Sequence, residues 1–168
     1  MTCVNSAGNE GDDPWFYIIT PADADSVISV GAVRQNGMIA SFSSHGPTSD
    51  GRIKPEVCAL GVNTYCVRSN TENIYRTASG TSFSAPLVAG AVAVILSANN
   101  SWTNMQVREA LMMTASQNAN ADNTYGHGII NTWAAINYQH TISTKNENFI
   151  PNNITVNKAF PNPFNPSL

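Results

Sequence analysis

The spacing of apolar positions shifts repeatedly along this chain, and each shift predicts an element. Val27–Val33 (V-I-S-V-G-A-V) is rich in β-branched residues and bounded by polar turns, the pattern of a buried strand. Residues 1–5 read as the tail of another strand, and the loop between them carries Asp12, Asp13, Pro14 and Pro21. Residues 41–55 (S-F-S-S-H-G-P-T-S-D-G-R-I-K-P) are dense in Ser, Gly and Pro, which predicts turn and loop flanked by short strands. No internal repeat is visible.

From residue 80 to residue 98 small and apolar residues occupy every face, and no charge falls between Thr77 and Met105. That describes a helix buried all round, with Pro86 tolerated near its first turn. Its nearly apolar part, residues 85–98, has 14 residues broken by Pro86, Gly90 and Ser97, too short to cross a bilayer. Thr103 and Gln106 fit a capping box, and Val107, Ala110, Leu111 and Thr114 recur at helical spacing behind them, so a second, amphipathic helix follows. A shorter helix is expected over residues 131–138. Strand, long loop, strand, loop and buried helix in this order predict an α/β layer fold with parallel strands.

The pattern decays after Tyr138 into a polar linker over residues 139–158. The closing F-P-N-P-F-N-P holds three prolines in seven positions and continues neither helix nor central strand. The domain is therefore expected to span residues 1–138, with a separate short segment at 159–168.

Composition narrows the function classes. Apolar residues make up 42% of the 168 positions, enough for one core, while charged residues make up only 11% and the net charge is −3. That leaves no electrostatic footprint for nucleic acid or an anionic membrane. Neutral Asn and Ser replace the missing charge, which suits a secreted protein. The first residues lack the basic start and apolar run of a signal peptide, so the chain is expected to begin within a domain. Cys3, Cys58 and Cys66 lack the spacing of a zinc or redox site. A bridge between Cys58 and Cys66 would contribute roughly 2.5 kcal/mol through chain entropy and is favoured over two free thiols; Cys3 is expected to be a buried, inert thiol.

Two segments carry candidate chemistry. In G-T-S-F-S-A-P-L-V-A-G (residues 80–90), Ser82 stands at the mouth of a buried helix, where unpaired amides and the helix dipole favour the oxyanion formed when a serine attacks a carbonyl. Taken alone, the segment reads more readily as an ordinary serine cap on a core helix. In A-G-N-E-G (residues 7–11), Asn9 lies between glycines directly after a strand. Together with F-S-S-H-G-P, K-P-E-V, V-I-S-V-G-A-V and Y-G-x-G-x-x-N (residues 125–131), all in the same order, the chain resembles the subtilases, the subtilisin-like serine proteases, over about residues 3–138.

That resemblance implies a three-layer α/β subtilisin-like fold with a mostly parallel sheet, of which this chain would be the C-terminal half. It implies Ser82 as nucleophile and Asn9 as the side-chain donor of the oxyanion hole, assisted by the Ser82 N–H. Ser6, Ala7, Gly8 and Glu10 would form one wall of the pocket for the substrate side chain preceding the scissile bond, left open to large side chains. Polypeptides would be the substrates, and no cofactor is required. Structural calcium has no placeable site, because Asp12, Asp13, Asp23 and Asp25 lack a ligand spacing.

The family's aspartate and histidine motifs, D-[ST]-G and H-G-T-H, do not occur here. They would belong to an N-terminal half of the same domain, the partner Ser82 needs. His45, His127 and His140 are expected in structural or surface roles. Loss of the base costs a subtilisin about a millionfold in turnover, a figure from the family itself rather than an independent forecast, so the chain alone is expected to be essentially inactive. It is also expected to aggregate, exposing a strand edge and an apolar face. Ala59-Leu60-Gly61 departs from the family's usual A-P-G but touches no catalytic group. The closing F-P-N-P-F-N-P is similar to the opening of sorting modules on bacterial proteins exported by the type IX route, which implies a secreted or cell-surface bacterial protein. A non-catalytic subtilase-like scaffold and a serine esterase are the competing readings; the absent G-x-S-x-G elbow speaks against the common esterase form.

Overall fold

The computed structural model describes residues 1–70 and 72–140. Most of the expected linker and all of the expected C-terminal module lie outside those residues.

Among the described residues five strands and three α-helices follow in the order β1 (Cys3–Ser6), β2 (Val27–Val33), β3 (Val57–Leu60), β4 (Thr64–Val67), β5 (Tyr75–Ala78), α1 (Thr81–Ala98), α2 (Asn104–Met113) and α3 (Thr132–Ile136). β1, β2 and β3 form a parallel sheet in that order, with Cys3 beside Val27 and Val30 beside Val57. β4 and β5 form a separate antiparallel hairpin, with Thr64 opposite Ala78. β2 occupies the residues its β-branched run predicts, and α2 starts with the expected capping box: the Gln106 N–H donates to Thr103 Oγ1 at 3.3 Å and the Thr103 N–H to Gln106 Oε1 at 2.8 Å.

The helices cover one face of the sheet. Ile28 and Val30 of β2 and Val57 and Ala59 of β3 pack against Val88, Val92 and Ile95 of α1, with Val107 and Leu111 of α2 and Ala135 of α3 behind them. On the opposite face β2 presents Ser29 and Gly31 to loops. A Cβ on Gly31 would lie 2.8 Å from Cys58 Sγ and 3.1 Å from Pro55 Cγ, so only glycine fits there.

Several expectations change. α1 is not buried all round: Leu87 and Val94 are 44% and 49% exposed, because no described element packs on their side of the helix. At 18 residues with a mean hydropathy of 1.7, α1 has the length and composition of a membrane-spanning helix, longer than the run read from the sequence, yet Val88, Val92 and Ile95 lie in the core. All three cysteines are free. Cys58 is buried in β3, where burial pushes its thiol up to about 12, whereas Cys66 sits across from Arg76 in the separate hairpin. Cys3 is exposed, because β1 pairs on only one side among the described residues. α3 is shorter than expected, ending at Ile136, and is capped by Asn131 Oδ1, which accepts from the Ala134 N–H at 3.0 Å.

A buried ionic cluster fixes the base of the sheet. Glu56 and Lys54 are 1% exposed and pair at 2.7 Å. Glu56 Oε1 also takes Arg108 of α2 at 2.8 Å, and Oε2 accepts from the Ser29 N–H at 2.7 Å. Lys54 Nζ donates to the carbonyls of Ala24 and Val27 at 2.8 and 2.9 Å. Burial draws the Lys54 pKa below the ordinary lysine range, opposed by its bond to Glu56. Glu56→Ala strands two cations and is expected to cost about 3–5 kcal/mol, while Arg108→Met, at the partly exposed rim, costs clearly less. Urea unfolding of the two variants checks that order, and equal losses would show that Glu56 is not its centre.

Candidate active site

Ser82 is exposed, on the first turn of α1. The turn before it is held by Gly80, whose φ of 148° lies in a region L side chains rarely adopt, and whose N–H donates to the Gly61 carbonyl at 2.8 Å. Gly61 in turn donates to the Val33 carbonyl at 2.9 Å. The ends of β2 and β3 thereby set where the helix begins.

Asn9 comes to the same place from the other side of the chain. It follows β1 after Ala7 and Gly8, which are buried; the Ala7 N–H donates to the Val30 carbonyl at 3.0 Å. Asn9 Oδ1 accepts from the Thr81 N–H at 2.9 Å and lies 3.0 Å from Thr81 Oγ1. The Thr81 hydroxyl also lies 3.2 Å from the Gly8 carbonyl and accepts from the Gly8 N–H at 3.3 Å. With its carbonyl oxygen committed to Thr81, the Asn9 amide keeps its NH₂ group as a free donor. That nitrogen lies 3.6 Å from where a Cβ on Gly80 would stand, so the bare glycine leaves space around it.

The first helix amide is thus satisfied by Asn9, while the Phe83 N–H donates to the Gly80 carbonyl at 3.0 Å. Between them the Ser82 N–H has no intramolecular partner among the described residues. A side-chain amide, an unpaired helix amide and an exposed hydroxyl therefore share one helix mouth, a set that can stabilise negative charge developing on an attacked carbonyl.

Of the residues read as a pocket wall, Ser6 ends β1 half-buried, Ala7 and Gly8 are buried, and Glu10 is half-buried. The Glu10 N–H donates to Ser44 Oγ at 3.0 Å. Gly8, at φ 117°, faces Ser44 Oγ and Ile19 Cγ1, which would lie 2.6 and 3.1 Å from a Cβ there. Thr81, Ser44 and Ile19 were not read from the sequence as part of this site. Thr81 stands in the G-T-S motif, but its 72-residue reach to Asn9 has no local signal.

None of the three histidines is bonded to Ser82. His45 stacks on Phe16 at 4.5 Å, and His140 Nδ1 pairs with Glu109 at 3.1 Å. His127 lies between Gly126 and Gly128, its N–H donating to the Glu56 carbonyl at 2.9 Å. Among the described residues no three His, Cys, Asp or Glu side chains gather as a metal site.

Residues 1–128 match the family model described as the subtilase family. The chain is 37% identical to "Serine protease AprX" of Bacillus subtilis (strain 168), over 78% of this chain and 34% of that protein. It is 41% identical to "Subtilisin E" of the same organism, over 77% of this chain and 32% of that protein. It spans about a third of the length of such curated relatives. A solved structure titled "Structure of Patellamide maturation protease PatG" superposes with a TM-score of 0.67 at 24% identity, covering 81% of this chain and 43% of that one, a likeness of fold.

Burial lowers the pKa of both His45 and His127 below the ordinary 6.5. Below that value the unfolded chain binds more protons than the folded one, so stability is complete above it and falls as pH drops toward the folded-state values. Urea midpoints measured from about pH 8 to about pH 5 are expected to show that fall. The double variant His45→Gln, His127→Gln should flatten it; an unchanged slope would assign the protons elsewhere.

Proposed function

The chain belongs to the subtilase family, and from that premise we propose that it supplies the nucleophile and the oxyanion hole of a serine endopeptidase. The observation that carries this reading is the Asn9–Thr81 pairing, which aims a side-chain amide into the helix mouth where Ser82 is exposed. Ser82 Oγ attacks the scissile carbonyl, the bond to the leaving amine breaks, and water later releases the acyl group. Asn9 Nδ2 and the Ser82 N–H hold the oxygen that becomes negative. Ser6, Ala7, Gly8 and Glu10 wall the pocket for the side chain before the scissile bond, and polypeptides are the substrates.

Ser82 requires a histidine to take its proton and an aspartate to orient that histidine. None of the described histidines is bonded to Ser82, with His45 stacked on Phe16 and His140 paired with Glu109, so the partner of this chain is a segment carrying both residues, the remainder of the catalytic domain. That segment would also cover the open side of β1 and the Leu87 and Val94 face of α1. The protein is read as secreted or cell-surface, with type IX export following from the terminal F-P-N-P-F-N-P. The reaction calls on no metal or cofactor.

Peptide hydrolysis is to be measured on the chain alone and joined to the segment encoded upstream of it in the same frame. Joined, the protein should cleave peptides and take a fluorophosphonate label on Ser82, and Ser82→Ala should abolish both. Asn9→Ala should lower kcat about a hundredfold to a thousandfold with little change in KM, the range reported for this donor in a subtilisin and so inherited from the family. Alone, the chain should be slower by about a millionfold. Hydrolysis unaffected by Ser82→Ala would overturn the reading. An upstream stop codon would favour the non-catalytic scaffold, and turnover of esters but not peptides would favour the esterase.

A further inference from the structure

Behind the loop that follows Asn9 lies a cavity of about 400 Å³, lined by Trp15, Tyr17, Ile19, Asp23, Pro47 and Thr48 among others. Its volume is in the range of small-ligand sites. Trp15 and Tyr17 are 62% and 48% exposed, an arrangement that costs solvation for two large rings.

The backbone holds them there under strain. The Tyr17 N–H donates to the Trp15 carbonyl at 2.6 Å across Phe16, whose φ is +62°. That is the rare, strained form of γ-turn, and for a bulky aromatic residue it is an outlier. Phe16 is locked in it by stacking on His45 at 4.5 Å and 12° and by the His45 N–H, which donates to its carbonyl at 3.2 Å. The Tyr17 ring then meets Phe16 edge-on at 5.5 Å. Strain held by surrounding structure, spent on presenting two aromatic rings at a cavity, points to a ligand.

Charge says which ligand. Asp23 is the one charged residue lining the cavity, and it takes only a 3.5 Å bond from the Thr20 hydroxyl. Between residues 9 and 26 the chain carries Glu10, Asp12, Asp13, Asp23 and Asp25 and no lysine or arginine. Arg52 reaches Asp50 and Asp25, not Asp23. Aromatic faces, aliphatic walls and one carboxylate suit a cation on an apolar stem. A single carboxylate among apolar walls is a poor metal site.

We infer that this cavity binds a lysine or arginine side chain of a bound polypeptide, held between Trp15 and Tyr17 with its charge on Asp23. Its far wall explains why a polypeptide is the partner: Ile19 lines the cavity, packs against Gly8, and donates its N–H to the Ala7 carbonyl at 3.2 Å. The site thus backs directly onto the wall beside Asn9, yet its binding rests on none of the chemistry of Ser82.

The probes are the N-acetyl, N-methylamide derivatives of lysine and arginine, with norleucine as the uncharged isostere. They are titrated into the chain joined to its upstream segment while the indole N–H signals of Trp15, Trp102 and Trp133 are followed by NMR. The Trp15 signal should shift to saturation with both cationic probes, while Trp102 and Trp133 stay still. Norleucine should bind roughly tenfold more weakly, and Asp23→Asn should weaken the lysine probe to a similar degree while leaving the remaining amide spectrum intact. Trp15→Ala should remove binding. Equal binding of norleucine, an unaffected Asp23→Asn variant, or no movement of the Trp15 signal would each overturn the inference.

Discussion

The arrangement rests on one buried carboxylate. Glu56 is held away from water by the sheet, the loop at Ala24 to Val27 and α2, and its charge is tolerable only because Lys54, Arg108 and the Ser29 N–H converge on it. Each partner belongs to a different part of the chain, so satisfying the charge fixes the relative placement of β2, β3 and α2. It also fixes the late segment: the Glu56 carbonyl accepts from the His127 N–H at 2.9 Å, and Gly126 packs so closely on the carbonyls of Pro55 and Glu56 that a side chain there would collide with them.

What is fixed at the base of the sheet is delivered at its other end. β2 and β3 end at Val33 and Leu60, and backbone bonds run from Val33 through Gly61 to Gly80, where α1 begins. β1 delivers Asn9 beside the same point. The meeting of Asn9 with the start of α1 is thus a consequence of strand lengths and parallel register. Placing a helix N-terminus at the carboxyl ends of parallel strands is a general solution for binding negative charge in α/β proteins.

Much of this was legible in the sequence wherever a local rule decides the outcome. The β-branched run of β2, the capping box of α2 and the glycine before Ser82 each carry their instruction within a few residues. The rest depends on residues far apart. Thr81 orients Asn9 across the fold, and nothing near either residue announces it. The Cys58–Cys66 bridge looked favourable on loop length alone, but the two residues are assigned to different sheets, which loop entropy does not register. An apolar run cannot say whether both of its sides will be covered, so α1 read as fully buried although Leu87 and Val94 face outward. Phe16 gives no hint of its positive φ, because aromatic residues seldom adopt one and here tertiary stacking imposes it.

The parallel register of β1, β2 and β3 also governs how the fold is reached. Cys3 meets Val27 and Val30 meets Val57, so no strand can zip onto its neighbour through a tight turn. Each pairing must close a long loop, and its entropic cost, before any ladder bond offsets it. Folding of such a sheet is slow, and during the search the one-sided β1 lies open to pairing with another chain. The topology that brings Asn9 and Ser82 to one helix mouth makes concentration and time, more than contact energy, the hazards during its assembly.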